Sequence, residues 1–179
     1  MQKFLWNTGK VILVSLFFAV LFLWYAGFFN QVYLIQKNSG PFEAIVVNTG
    51  YFNDPMEERN KLFKLLFDED IISRQSIAIT PDPFGENLIT QTGWVLTPAQ
   101  AQQAAILPGS HQLIKIPKKQ RIVADFTYNN NFSIMAGAFT VYPVLKDFII
   151  RKGLREEVLY EIYDDDVKRI FYHLSVTER

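Results

Sequence analysis

The residues with the clearest chemical content lie in one short run, Leu159, Tyr160, Glu161, Ile162 and Tyr163, followed at once by Asp164, Asp165 and Asp166. In an extended chain successive side chains alternate between faces, so Leu159, Glu161 and Tyr163 share one face, and Val158, Tyr160 and Ile162 the other. If the second set packs beneath helices, the first lines an open face and sets a carboxylate between aliphatic and phenolic surfaces. A carboxylate so placed attracts an organic cation by charge, while neighbouring rings add contact area and cation–π attraction. The competing reading leaves Glu161 on a solvated face, paired with Lys168 or Arg169 across the acidic turn. Trp94 shares a face with Leu96 and is a candidate pocket wall, and Tyr51 and Tyr142 carry phenols able to orient a polar ligand; all three also suit ordinary core packing. The candidate ligand-binding set is Glu161, Tyr163, Trp94, Tyr51 and Tyr142.

Other chemistries find less support. The 179 residues include no cysteine, which excludes disulfides and thiolate metal sites. His111 beside Ser110 and His173 near the C-terminus do not form a recognisable triad, and three consecutive aspartates do not by themselves converge on a metal. Glu161 acting as a general base would need a second group to stabilise developing charge, and no spacing supplies one. No catalytic residue, cofactor or metal ligand is therefore assigned, and a binding domain is favoured over an enzyme. Eighteen basic residues balance eighteen acidic ones, so no broad basic footprint for nucleic acid exists. The local cluster Lys115, Lys118, Lys119 and Arg121 reads as the solvated start of a strand.

The elements that must position these residues follow from pattern. Residues 31–42 read as a stalk and leading strand, broken by the turn-prone "NSGP". An extended "AIVVNTGYF" precedes a helix opening at Asp54–Pro55, with Met56, Leu62, Phe63, Leu66 and Phe67 at spacings of an apolar face. Strands are expected in "QSIAIT" and "LITQTGWVLT", a polar helix over 98–105, and a turn feeding a strand in "KIPKKQRIVADF". A long helix follows in "FSIMAGAFTVYPVLKDFIIRKG", with Met135, Phe139, Tyr142, Leu145, Phe148 and Ile149 at helical spacing, Pro143 inside and Gly153 as its stop. "EVLYEIY" and "KRIFYHLSV" complete the chain as strands. The order strand–helix–strand–strand thus occurs about twice, and "AITPDP" at 78–83 faintly echoes "EIYDDD" at 161–166.

Ahead of this domain, Val11 to Phe29 carries no charge and Ser15 is its one residue outside the apolar, aromatic and glycine classes. Nineteen helical residues span roughly 28 Å, near bilayer thickness. Bulky Leu23, Trp24 and Tyr25 continue the run beyond a usual signal-peptide core. The expectation is a short flank over 1–10, a transmembrane helix over 11–29, a stalk and leading strand over 30–42, and a single domain over 43–179. Lys3 and Lys10 before the helix against Lys37 after it favour a cytoplasmic N-terminus and a domain on the extracytoplasmic side. Without the first 30 residues, 16 basic groups face 18 acidic ones, and the remaining length suits one domain.

"GPFEAIVV" at 40–47, "AITPDPFG" at 78–85, "TGWVL" at 92–96, "GAFTVYPVLKDFI" at 137–149 and "LYEIYDDD" at 159–166 resemble the gyrase-inhibitor-like (GyrI-like) bacterial effector-binding domains over about residues 31–176. The resemblance implies an α+β fold of duplicated β-α-β-β units following the N-terminal transmembrane helix. It further implies small organic ligands held between the halves, with Glu161 at the family's central glutamate, Tyr160 at its aromatic and Tyr163 at its tyrosine. The chain departs from that pattern in its "TPDP" turn, in the glycines around Gly137 and in having no attached helix-turn-helix. The sequence thus leads to a single-pass, membrane-anchored small-molecule-binding or sensing domain, its partners the lipid bilayer through residues 11–29, an organic or cationic ligand and a membrane-associated protein, with no nucleic acid. The alternatives are a membrane-proximal structural or protein-interaction module and a small-molecule hydrolase.

Overall fold

The computed structural model describes residues 2–49, 55–85 and 90–178. Four helices accompany eight strands: α1 (Gln2–Tyr25), β1 (Ile35–Ser39), β2 (Phe42–Thr49), α2 (Pro55–Asp68), β3 (Gln75–Thr80), β4 (Thr90–Leu96), α3 (Pro98–Ala104), β5 (Gln112–Ile116), β6 (Lys119–Thr127), α4 (Asn131–Lys152), β7 (Leu154–Asp164) and β8 (Arg169–Glu178). Local chemistry accounts for the helix limits. Thr97 accepts from the Gln100 backbone N–H while the Gln100 side chain accepts from that of Thr97, a reciprocal cap with Pro98 just inside the helix. Asn130 caps the start of α4 through the Ser133 N–H, and Gly153, at φ 63°, ends it in the left-handed conformation that favours glycine.

All eight strands form one antiparallel sheet in the order β1-β6-β8-β7-β3-β4-β2-β5, an α+β architecture in which β2-α2-β3-β4 and β6-α4-β7-β8 repeat the same sequence of elements. The two runs meet at β3 and β7, where Ala78 lies opposite Glu161 and Ser76 opposite Tyr163. The strand ahead of each run pairs with the other run: β1, ahead of the first, pairs with β6, and β5, ahead of the second, pairs with β2. The two stretches that echo one another in sequence therefore begin on paired residues, Ala78 and Glu161, at the seam.

Alternation along the strands builds three apolar clusters. On one face α4 covers β6, β7 and β8 through Val141, Leu145 and Ile149 against Phe126, Leu159, Tyr172 and Leu174. On the same face α2 and α3 cover β2 and β4 through Leu62, Leu66, Ala101 and Ala104 against Ile45, Trp94 and Leu96. The opposite face carries no helix; there the curled sheet closes on itself through Ala44, Val46, Ile77, Ile79, Ile116 and Ile162, with Val158 and Tyr160 packed beside them.

Several sequence expectations need correction. The two faces of β7 group the expected residues with the helix side exchanged: Leu159, Glu161 and Tyr163 lie under α4, and Val158, Tyr160 and Ile162 lie on the strand-only side. Arg121 is not a solvated strand start. It is 2% exposed, donating to Ser39 O (2.6 Å), Ser39 Oγ, Ser175 Oγ and Pro117 O, with its guanidinium 5.1 Å from the Tyr160 ring centroid. β5, read from sequence as part of a turn, is a separate strand. Phe63, Phe67, Met135 and Phe139, counted on apolar helix faces, point outward and are exposed. The α1 helix stops at Tyr25 and turns carry the chain through 26–29, the end of the span expected as a transmembrane helix, where Ala26 is fully buried and Phe28 packs against the α4 core; Val32 and Leu34, in the segment expected as a stalk and leading strand, pack there too. Asp54 and Tyr51 fall outside the described residues.

Candidate functional site

Sheet register sets out the site. One cross-strand row on the helix-covered face runs Trp94, Ser76, Tyr163 and Ile170, and the next runs Thr92, Ala78, Glu161 and Tyr172. The β3 contributions, Ser76 and Ala78, are small, and a cleft of about 350 Å³ opens above them. Its floor is Ser76, Ile77, Ala78 and Thr92; Arg59 of α2 and Ile134 of α4 line it as well, with Tyr128, Tyr163 and Asp165. The hydroxyl of Thr92 is buried without a hydrogen-bond partner among the described residues.

Glu161 lies beside this floor rather than in its lining. It is 7% exposed, and its carboxylate accepts from the Tyr142 hydroxyl at one oxygen and from the Tyr163 hydroxyl at the other, the latter at 2.5 Å. Tyr163 thus stands between the carboxylate and the cleft. Burial raises the Glu161 pKa above the ordinary carboxylate value, and the two phenolic hydrogen bonds oppose that rise in part. Tyr142, Tyr163 and Tyr172 are pushed upward, first by burial and then by the nearby Glu161 charge. Tyr172, directly opposite Glu161 on β8, keeps its hydroxyl buried and unpartnered among the described residues. Phe84 and Tyr172 both meet the Tyr142 ring edge-on, at 6.2 Å between centroids. The result is a carboxyl group in an aromatic box.

Of the sequence candidates, Glu161, Tyr163 and Tyr142 come together directly. Trp94 does not join them: it is buried on the α2 core, tilted against Phe63 and overlain by the Arg59 guanidinium at 5.6 Å. Arg59 links it to the cleft, since that residue also lines a neighbouring hollow with Trp94 and Asp165. The paired alternative for Glu161 is not realised, because Lys168 bonds Asp165 and Arg169 bonds Asp125. The acidic turn is internally committed: Asp164 accepts from Gln75 Nε2 and from the N–H groups of Asp166 and Val167, while Asp165 accepts from the Tyr128 hydroxyl. No group of three metal-ligating side chains occurs among the described residues. Sequence reasoning missed Tyr172, Tyr128, Phe84 and Arg59. Tyr172 had a signal available, since Ile170, Tyr172 and Leu174 alternate with the polar and aromatic residues of β8.

No sequence family matches the chain, and no curated protein does. Among solved structures, EcmrR in its complex with DNA is similar with a TM-score of 0.51 at 10% identity, over 97% of this chain and 69% of EcmrR. An integron cassette protein from the mobile metagenome of Vibrio cholerae is similar with a TM-score of 0.49 at 11% identity, over 83% of this chain and 100% of its own. SAV2435, solved bound to tetraphenylphosphonium, has a TM-score of 0.49 at 9% identity, over 82% of this chain and 94% of its own. The EcmrR likeness is one of fold.

Proposed function

We propose that the chain is a membrane-anchored small-molecule-binding or sensing domain of the GyrI-like effector-binding kind, built from two β-α-β-β halves. Its ligand is an organic cation that enters the cleft between α2 and α4, displaces the Tyr163 ring and meets Glu161, with Tyr142 as a second aromatic contact. Trp94 supports the α2 wall, and α1 holds the domain to the bilayer on its extracytoplasmic side. The observation that carries this reading is the buried Glu161 carboxyl, held among the described residues by two phenols and paired in register with a floor residue of the cleft. A cation is the natural counterpart: burying a carboxylate without a positive partner is costly, and a cationic ligand offsets that cost while the rings supply contact area.

Titration of tetraphenylphosphonium into the full chain by calorimetry, beside uncharged triphenylphosphine oxide, tests it. Wild type should prefer the cation, and Glu161→Gln should weaken cation binding at least tenfold with little change for the neutral compound. Equal binding of the cation to both forms would remove Glu161 from the site.

A second reading, a membrane-proximal protein-interaction module, is favoured by one separate observation. Phe63, Phe67 and Ile72 form an exposed apolar patch beside Trp94 at the end of α2, away from Glu161.

A further inference from the structure

The N-terminal half of α4 presents Phe132, Met135 and Phe139 to the outside, 56%, 55% and 67% exposed, at spacings that put them on one face. The sequence from Phe126 to Leu145 contains no charged residue, and the charges of α4, Lys146, Asp147, Arg151 and Lys152, are confined to its C-terminal end. This face adjoins α1. The Phe22 ring meets Phe132 edge-on at 5.1 Å, and Phe28 stacks on Phe139 at 6.4 Å. Beneath these contacts Ala26 is fully buried, and a side chain at Gly27 would fall 2.9 Å from the Phe126 ring, so the end of α1 is fitted closely to the domain.

We infer that this α4 face is a lipid-contacting surface, seated in the same leaflet that α1 enters, an inference that rests on the anchoring role proposed for α1. Phe22 precedes the end of α1 by three residues, or about 4–5 Å of helix rise. A bilayer that solvates α1 as far as Tyr25 therefore also reaches Phe132. The apolar helix from Val11 to Tyr25 is about 22 Å long, short of the roughly 30 Å hydrocarbon layer. Phe29, 61% exposed, and the α4 face extend the apolar surface past its end. The domain thus rests against the membrane, with the charged end of α4 directed away from it and Tyr142 of the candidate site less than one turn beyond Phe139.

The absence of cysteine makes the test direct. Single cysteines replacing Val14, Phe132, Met135, Phe139 or Asp147 in the full chain, all exposed positions, would carry an environment-sensitive fluorophore in phosphatidylcholine–phosphatidylglycerol nanodiscs, challenged with brominated lipid and aqueous iodide. Labels at 14, 132, 135 and 139 should be quenched several-fold more by lipid than the label at 147, which should respond to iodide. Lipid quenching at 14 with iodide quenching at 132, 135 and 139 would overturn the seating of α4 while leaving the anchor intact. Absence of lipid quenching at 14 would overturn the anchor, and the seating with it. Protection of the α4 labels from both quenchers would mean that protein covers this face, which also overturns the inference.

Discussion

Glu161 and His173 sit close together in sequence on opposite faces of the sheet, and their burial drives stability in opposite directions with pH. His173 is 6% exposed, its Nδ1 has no partner among the described residues, and burial, with Lys37 and Arg121 adding repulsion, pushes its pKa from 6.5 down to about 4. Between those values the unfolded chain binds the proton and the folded one does not, so this residue contributes stability that is lost as pH falls from 6.5 towards 4, roughly 3 kcal/mol in all. Glu161 is shifted upward from 4.5, so in its window the folded chain holds the extra proton and stability falls as pH rises. Urea midpoints measured across pH 4 to 8 should therefore lose their acid-side slope in His173→Gln, and Glu161→Gln should gain stability relative to wild type as pH rises above about 4.5. The same slopes in both variants as in wild type would place these groups in solvent. The Glu161 face was legible in part: alternation grouped it correctly with Leu159 and Tyr163. Which side the helices cover was not, because a strand with apolar residues on both faces gives no preference between them.

At the scale of elements, the strand β4 depends on a residue with no side chain. Gly93 lies between Val46 of β2 and Ile77 of β3, and a Cβ there would fall 1.8 Å from the Ile45 carbonyl oxygen and 2.8 Å from the Val46 Cα. Both obstacles are backbone and cannot rotate away, so Gly93→Ala should separate β2 from β4 and cost about 3 kcal/mol or more, read as a fall in the urea midpoint. Gly153→Ala is the contrasting case, with open space around it and only its φ of 63° at issue, and should cost about 1 kcal/mol. Element identity was largely legible where local chemistry is strong. "QSIAIT" is β3 in full, Thr97–Pro98 opens α3, and Gly153 closes α4. Element faces were less so. The α4 sequence is apolar around most of its circumference, so spacing alone did not separate Leu145 and Ile149, which are buried, from Met135 and Phe139, which are not. The strand β5 was hidden for a different reason: five residues bounded by Pro117 and two lysines look like a turn until β2 supplies the partner.

For the whole molecule, the exchange of β1 and β5 between the two runs makes independent folding of either half unfavourable, and Arg121 ties that exchange together. Its guanidinium joins β1 through Ser39, β8 through Ser175 and the β5–β6 turn through Pro117, with no carboxylate among these partners. Replacing it by methionine keeps the stem packed near Tyr160 but leaves two carbonyls and two hydroxyls without their donor, a loss of about 2–4 kcal/mol. Trp94 lies in the other half, on the α2 core. In a background where Trp6 and Trp24 are phenylalanine, its emission reports that half alone, whereas far-ultraviolet dichroism reports the whole chain. Cooperative folding requires the two probes to give coincident urea midpoints in that background, and Arg121→Met to lower both by the same amount. A Trp94 signal that kept its midpoint while the dichroism shifted would mean that the halves fold separately, and the seam beside Glu161 would then be a docked interface between two units rather than the centre of one sheet.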